Sequence, residues 1–261
     1  MPFDIRSYNR DAWNHQVDTG NEWTQPVSSA DIEAARKGEW SIVLTPVKPI
    51  PKDWFPKSLK GAKVLCLASG GGQQAPILAA AGADVTLVDN SPKQLAQDKL
   101  VAERDGLSIA LVEADMRDLS RLEHEHFDLI VHPCSNCFVP DVEPVWRESY
   151  RVLKPGGSLL SGFLQPAVFL FDAGKYERGE FEVRHTLPYS DVESISAEER
   201  EAYTAKSEPL CFSHTLESLL GGQIAAGFAL TGFFEDVFAP ESGDALSRYM
   251  STFIATRATK R

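Results

Sequence analysis

Residues 64–89 read VLCLASGGGQQAPILAAAGADVTLVD, and no other stretch narrows so far what this chain can fold into. The short apolar run at 64–68 stands between Lys63 and a glycine cluster, which marks a strand covered on both faces. Gly70, Gly71 and Gly72 permit a sharp turn and remove the Cβ atoms that would hold a ligand away. A helix opening near Gln73 is expected to aim its free amides at that ligand. Ala75, Ile77, Leu78, Ala79 and Ala80 are small and apolar enough to let this helix lie flat on a sheet, through Ala81, before Gly82 stops it. A second strand over 84–88 delivers Asp89, 19 residues after Gly70, where a carboxylate can accept both hydroxyls of a ribose. Ser91 is the expected N-cap of the next helix, with Pro92 at its first position and Gln94 completing a capping box. Together these pieces make a nucleotide-binding half-fold.

The loop also fits the G-x-G-x-x-A pattern of dinucleotide enzymes, so the choice of cofactor rests on later strands. A third strand is expected over 107–112. After it come Ala114, Asp115, an acid placed to accept from an adenine amino group, and Met116, a thioether for the ring face. The run 127–131 reads as a fourth strand leading into HPCSNCF at 132–138, and YRVLKPGGSLL at 150–160 reads as helix end, turn and fifth strand.

In this order over residues 62–163, the segments resemble the class I S-adenosylmethionine-dependent methyltransferases, most of all the small-molecule branch of the ubiquinone-biosynthesis type. RVLKPGG is the most specific single match. The resemblance implies an α/β, Rossmann-like, seven-stranded and mostly parallel sheet, whose last hairpin (228–235 and 250–256) inserts an antiparallel strand. It implies S-adenosyl-L-methionine as cofactor, held by Ala68, Ser69, Gly70, Gly72, Gln73, Asp89, Asn90, Gln94, Ala114, Asp115, Met116 and His132. Two positions depart from the family pattern: Cys66 stands where an acid is usual, and Ala68 where the first loop glycine is usual. The resemblance implies that this acid helps hold the methionine ammonium, so backbone carbonyls or an N-terminal residue take its place here. A lost charge-assisted hydrogen bond costs roughly 1.5–3 kcal/mol, which weakens binding without abolishing it.

A chain of 261 residues with 43% hydrophobic content can bury one large core, so one domain with added caps is expected. The divisions are an N-terminal cap (1–57), the cofactor-binding core (58–165), a substrate-cap insertion (166–209) and a C-terminal completion of the sheet (210–261). The cap carries Trp13, Trp23, Trp40 and Trp54, too many aromatics for a disordered arm, and a helix between Ser28 and Gly38. Within the insertion, 180–189 alternates like a strand and Ser196 opens a helix with a capping box. In the resembling family such insertions commonly cover the substrate. A net charge of −11 repels polyphosphate chains, which disfavours nucleic acid as a partner. No signal pattern and no run of 18 apolar residues is present, so a cytoplasmic protein without membrane contact is expected.

Methyl transfer from a sulfonium is an in-line displacement that positioning alone can accelerate, with a base useful for acceptors that must lose a proton. The loop after the fourth strand is where the resemblance puts the methyl group, which makes His132, Asn136 and Ser135 the first candidates. His214 is a second possible base. Cys134-x-x-Cys137 beside His132 hints at metal or redox chemistry, but a second ligand pair is missing, Cys66 and Cys211 stand alone, and packing is the simpler reading. No metal is expected. Tyr8, Asn9, Trp13 and Trp23 either close over the sulfonium or anchor the cap. The expected activity is methylation of a small-molecule acceptor. A nicotinamide-dependent oxidoreductase, a non-catalytic S-adenosylmethionine-binding regulator and a macromolecular methyltransferase are the alternatives, and acceptor and oligomeric state stay open.

Overall fold

The computed structural model describes residues 3–261. Seven strands form one sheet: β1 Lys63–Leu67, β2 Asp84–Asp89, β3 Ile109–Glu113, β4 Phe127–His132, β5 Leu153–Leu164, β6 Phe228–Asp236 and β7 Phe253–Lys260. Their order is β3-β2-β1-β4-β5-β7-β6. Six run parallel, and β7 lies antiparallel between β5 and β6, pairing from Ser158↔Thr259 to Leu164↔Phe253 on one side. The expected terminal hairpin is therefore present.

The helices are α1 Ile5–Thr19, α2 Ser29–Arg36, α3 Gln74–Ala80, α4 Pro92–Asp105, α5 Glu143–Val152, α6 Ala173–Tyr176, α7 Ala197–Thr204 and α8 Gly222–Ala225. Alternate residues of the central strands feed two cores, as the two-residue period of a strand requires. Val64, Cys66, Leu87, Leu129 and Val131 pack with Leu78 and Leu95, and the N-terminal segment supplies Ile32, Leu44, Ile50 and Trp54 to the same cluster. Leu65, Leu67, Val88, Ile130 and Leu159 face the other way, onto Trp146 and Val152 of α5. The N-terminal segment is thus part of the core, because its side chains fill one face of the sheet.

Three local readings need amendment. The Pro155-Gly156-Gly157 turn is absorbed into β5 as an irregularity: pairing jumps from Phe127↔Leu153 to Leu129↔Ser158, and Gly156 takes φ +80°. No strand forms over 180–189, where one bridge joins Phe171 and Val183. The reason is that Arg184 and His185 both send their amides to the Leu170 carbonyl, at 2.8 and 3.0 Å, which breaks the alternation. Helix α1 was not anticipated, although Asp4 caps it through the Ser7 amide and Gly20, at φ +75°, ends it. The capping boxes at Ser28–Asp31 and Ser196–Glu199 are both formed.

Candidate active site

One cavity lies at the carboxyl ends of β1, β2 and β4, the position where open α/β sheets hold ligands, and α1 roofs it. Its wall includes Ala68, Ser69, Gly70 and Gln73 from the loop after β1. Asp89, Asn90, Gln94, Asp115 and Met116 reach it from the loops after β2 and β3 and from the start of α4. Of the residues expected to hold a cofactor, Gly72, Ala114 and His132 do not line it.

The glycine loop is held from behind by acids. Gly70 N–H donates to Asp89 Oδ2 at 2.9 Å, while Gly71 and Gly72 N–H both donate to Asp98 Oδ2, at 2.9 and 3.0 Å. These amides therefore do not point at a ligand. The glycines make room for the chain's own parts instead. A Cβ at Gly71 would stand 2.7 Å from the Trp23 carbonyl oxygen, and one at Gly72 would stand 2.9 Å from Pro26 Cβ. Both take positive φ, +118° and +78°, which only glycine tolerates freely. Val27 N–H closes the contact on the Gly72 carbonyl at 2.9 Å. Ala68 sits at φ +47°, a left-handed backbone carried by an alanine.

Asp89 lies open to the cavity in part, with its carboxyl tucked under the loop. Desolvation pushes its pKa up, against hydrogen bonds from Ser91, Gly70 and Asn90 that favour the charge. Ser91 N–H donates to Asp89 Oδ1 at 2.9 Å, so that amide is taken and the expected capping box at α4 is only half made. Ser91 Oγ accepts from Gln94 N–H at 3.1 Å, but Gln94 Oε1 is buried without a partner. Asp115 is forked by Arg117, with Nη2 at 2.7 Å and Nε at 3.1 Å from Oδ2. Burial would raise its pKa, and the Arg117 guanidinium more than reverses this, holding the carboxyl below the ordinary range. Arg6 of α1 lies 3.9 Å from Asp115 and donates to Asn90 Oδ1 at 3.1 Å, which ties the roof to both loops.

The expected base candidates lie behind the wall. His132 has no exposed surface; its Nδ1 is 2.8 Å from the Leu67 carbonyl and its Nε2 is 2.7 Å from Asn136 Oδ1. Burial lowers its pKa, against the contacts with Leu67 and Asn136 that raise it. The strand exit points the ring into the protein, and both nitrogens are spent on structure. Asn136 is also buried, and its backbone carbonyl meets His214 Nε2 at 3.0 Å. His214 lies off the cavity too, and burial lowers its pKa as well. These three residues form one internal chain beneath the loop after β4. That loop presents Cys134, Ser135 and Cys137 to the cavity in their place.

The far end of the cavity, toward β5 and β7, is mostly apolar, with Val43, Leu44, Pro46, Leu164, Phe238 and Phe253, and the Thr45 hydroxyl there donates to Asp236 Oδ2 at 2.7 Å. No residue of 166–209 lines it, so the insertion packs elsewhere and the N-terminal segment covers this end. Cys211 does not stand alone: together with Cys134 it contacts Cys137, and those contacts with burial push the Cys137 thiol well up. Asn9 of α1, buried, donates to the Phe138 and Leu210 carbonyls at 2.9 and 3.0 Å and accepts from Leu210 N–H at 2.8 Å. Trp13 meets Phe138 edge-on at 5.0 Å. Sequence reasoning missed Arg6, Arg117 and Asp98. Arg117 could have been suspected from its place two residues after Asp115, but nothing local marks the other two.

A cavity of this shape, at this edge of a sheet with one reversed inner strand, defines a class. The chain belongs to the class I S-adenosylmethionine-dependent methyltransferases, an enzyme family whose cofactor is S-adenosyl-L-methionine. A methyltransferase-domain family matches residues 65–161. Across nearly its whole length, the chain is 53% identical to the uncharacterized methyltransferase YbaJ of Bacillus subtilis, covering 97% of this chain and 98% of that one. A ubiquinone biosynthesis O-methyltransferase of Pseudomonas syringae is 30% identical over 48% of this chain and 56% of its own length. Among solved structures, an S-adenosylmethionine-dependent methyltransferase from Mesorhizobium loti superposes with a TM-score of 0.63 at 21% identity, covering 80% of this chain and 95% of that one. Among the described residues, no helix is long and apolar enough to cross a membrane.

Proposed function

We propose that this methyltransferase alkylates a small, largely apolar acceptor seated between the N-terminal segment and the ends of β5 and β7. The observation that carries this reading is the division of the cavity. Its charged groups, Asp89, Asp115, Arg6 and Arg117, gather at the β2–β3 flank, whereas the β5–β7 flank is lined by aliphatic and aromatic carbon and by Thr45, whose hydroxyl is already given to Asp236. The bound cofactor supplies an electrophilic methyl group on a sulfonium. Asp89 is placed to accept from the ribose hydroxyls, since each of its oxygens gives one lone pair to a backbone amide and keeps another free. Asp115 and Met116 flank the adenine position. The Trp23 carbonyl, packed on Gly71, answers for the ammonium contact that Cys66 cannot make.

Ser135, Cys134 and Cys137 border the transfer position, and α1 with Trp13 excludes water from it. Catalysis then rests on holding the acceptor atom about 3–3.5 Å from the methyl carbon, not on a histidine base. His132 and Asn136 act as positioning residues that fix the loop carrying Ser135. A dinucleotide is disfavoured by the same geometry. Its diphosphate would meet a loop whose Gly70, Gly71 and Gly72 amides already serve Asp89 and Asp98, where such enzymes offer bare N–H groups.

The test is transfer of an isotope-labelled methyl group from S-adenosylmethionine into a cell extract, followed by ultrafiltration. Label is expected in the filtrate as an organic-extractable product. Label retained on protein or RNA would overturn the small-molecule reading, and calorimetric binding of a reduced nicotinamide dinucleotide would overturn the site assignment.

A further inference from the structure

Asp98 touches neither cofactor nor acceptor in the reading above, and its surroundings are unusual. It lies on α4 with no exposed surface, and its Oδ2 accepts two amides of the glycine loop while its Oδ1 has no hydrogen-bond partner. One turn earlier on the same helix face, Gln94 Oε1 is also buried without a partner. Both side chains crowd Gly71: its N–H donates to Asp98 Oδ2, and a Cβ there would stand 3.1 Å from Gln94 Oε1. Ser69 Oγ, under the same loop, is a third buried atom without a partner. Two buried acceptors on side chains one helical turn apart, each lacking a donor, are costly unless a hydrogen is supplied to them.

We propose that Asp98 is the acid that sets the shape of the cofactor loop, bracing it from α4, and that it does so as a neutral carboxylic acid. Its Oδ2 then accepts from Gly71 and Gly72 while a proton on Oδ1 is donated to Gln94 Oε1. One hydrogen satisfies both orphaned atoms. The titratable groups that face it are Asp89 from β2 and the Cys66 thiol from β1, and neither brings a positive charge that would favour ionisation. Burial pushes the Asp98 carboxyl up to about 8, against the two amides that favour its charge, which agrees with the geometry. The placement at Cys66 follows from size: a second carboxylate on β1 would press against Asp98, while a thiol shut in at zero exposure does not. Asp98 touches no cavity surface, so it is a positioning residue for the cofactor reading on which this inference rests.

The substitutions that test it are Asp98→Asn and Asp98→Ala in the full chain, read by calorimetry with S-adenosylhomocysteine from pH 6 to 9 and by amide hydrogen exchange at Gly71 and Gly72. Asparagine keeps an acceptor for both amides and offers N–H to Gln94, so it is expected to bind like the unsubstituted chain at pH 7 and to lose the decline in affinity that the unsubstituted chain shows above pH 8. Alanine removes the acceptor and is expected to weaken binding by about tenfold or more and to speed exchange at both glycines. Unchanged affinity in Asp98→Ala would refute the positioning role, and Asp98→Asn as weak as Asp98→Ala would refute the neutral acid. If Asp98→Ala does not fold, the pH profile of Asp98→Asn decides. If the unsubstituted chain binds no S-adenosylhomocysteine, the cofactor reading fails, while exchange at Gly71 and Gly72 still tests Asp98.

Discussion

Asp89→Asn separates the two duties proposed for one side chain, because asparagine keeps its shape and removes one of its acceptors. In the folded protein Oδ2 takes the Gly70 amide and Oδ1 the Ser91 amide, both at 2.9 Å. Asparagine retains one of these bonds and points an NH₂ group at the other amide, a donor facing a donor. Losing one hydrogen bond to a charged group costs roughly 1.5–3 kcal/mol, and removing a carboxylate held in a desolvated place returns part of that. A net stability loss of about 1–2 kcal/mol is expected, or roughly 2–8 °C in melting temperature for a chain of this size. The ribose loses more, since both of its hydroxyls would be served by free lone pairs on a full carboxylate. One charge-assisted bond at roughly 1.5–3 kcal/mol predicts a rise of about 10- to 100-fold in the dissociation constant of S-adenosylhomocysteine, measured by calorimetry well below the melting temperature. A lower melting temperature with an affinity unchanged within threefold would mean that Asp89 only braces the loop and that the ribose sits elsewhere.

Asn9→Ala should leave three partners at the Phe138 and Leu210 backbone without their mate, inside the seam between α1 and the loop after β4. The expected cost is about 2–4 kcal/mol, seen as a fall of several degrees in thermal melting; a change below about 2 °C would show that the seam is wet. Burial lowers the His132 pKa from its ordinary 6.5, so the unfolded chain binds the extra proton first. Its stabilising share is complete above pH 6.5 and is lost as acidification proceeds below that value. His132→Asn should therefore melt lower than the unsubstituted chain at pH 7.5, with a shallower acid limb in urea titrations. Parallel limbs would place the acid sensitivity elsewhere, for instance in His214.

How much was legible follows from where the determining contacts lie. The half-fold at 63–89 was readable because strand, turn, helix and cap are each decided by neighbours in sequence, and the order of later segments was enough to expect the reversed inner strand. The glycine loop was read correctly as a loop, but the room its glycines leave was read as room for a ligand, because composition tells that Cβ atoms are missing but not what fills the room. Here Trp23, Pro26 and Asp98 fill it, from 26 to 48 residues away. His132 was misplaced for the same reason: a histidine at a strand exit points either into the cavity or into the protein, and the choice depends on Leu67 and Asn136, which meet its two ring nitrogens. The apolar lining by Phe238 and Phe253 was out of reach, since only the sheet order brings these residues to the site.

The position of β7 carries a cost during synthesis. It is made after β6 yet lies inside it, and its pairing of Thr259 with Ser158 spans 101 positions. Until it arrives, β5 offers a bare edge and β6 has no neighbour, and such edges invite pairing between chains. A ribosome that stalls or shifts frame before residue 253 would thus release a sticky sheet, not a slightly shortened enzyme.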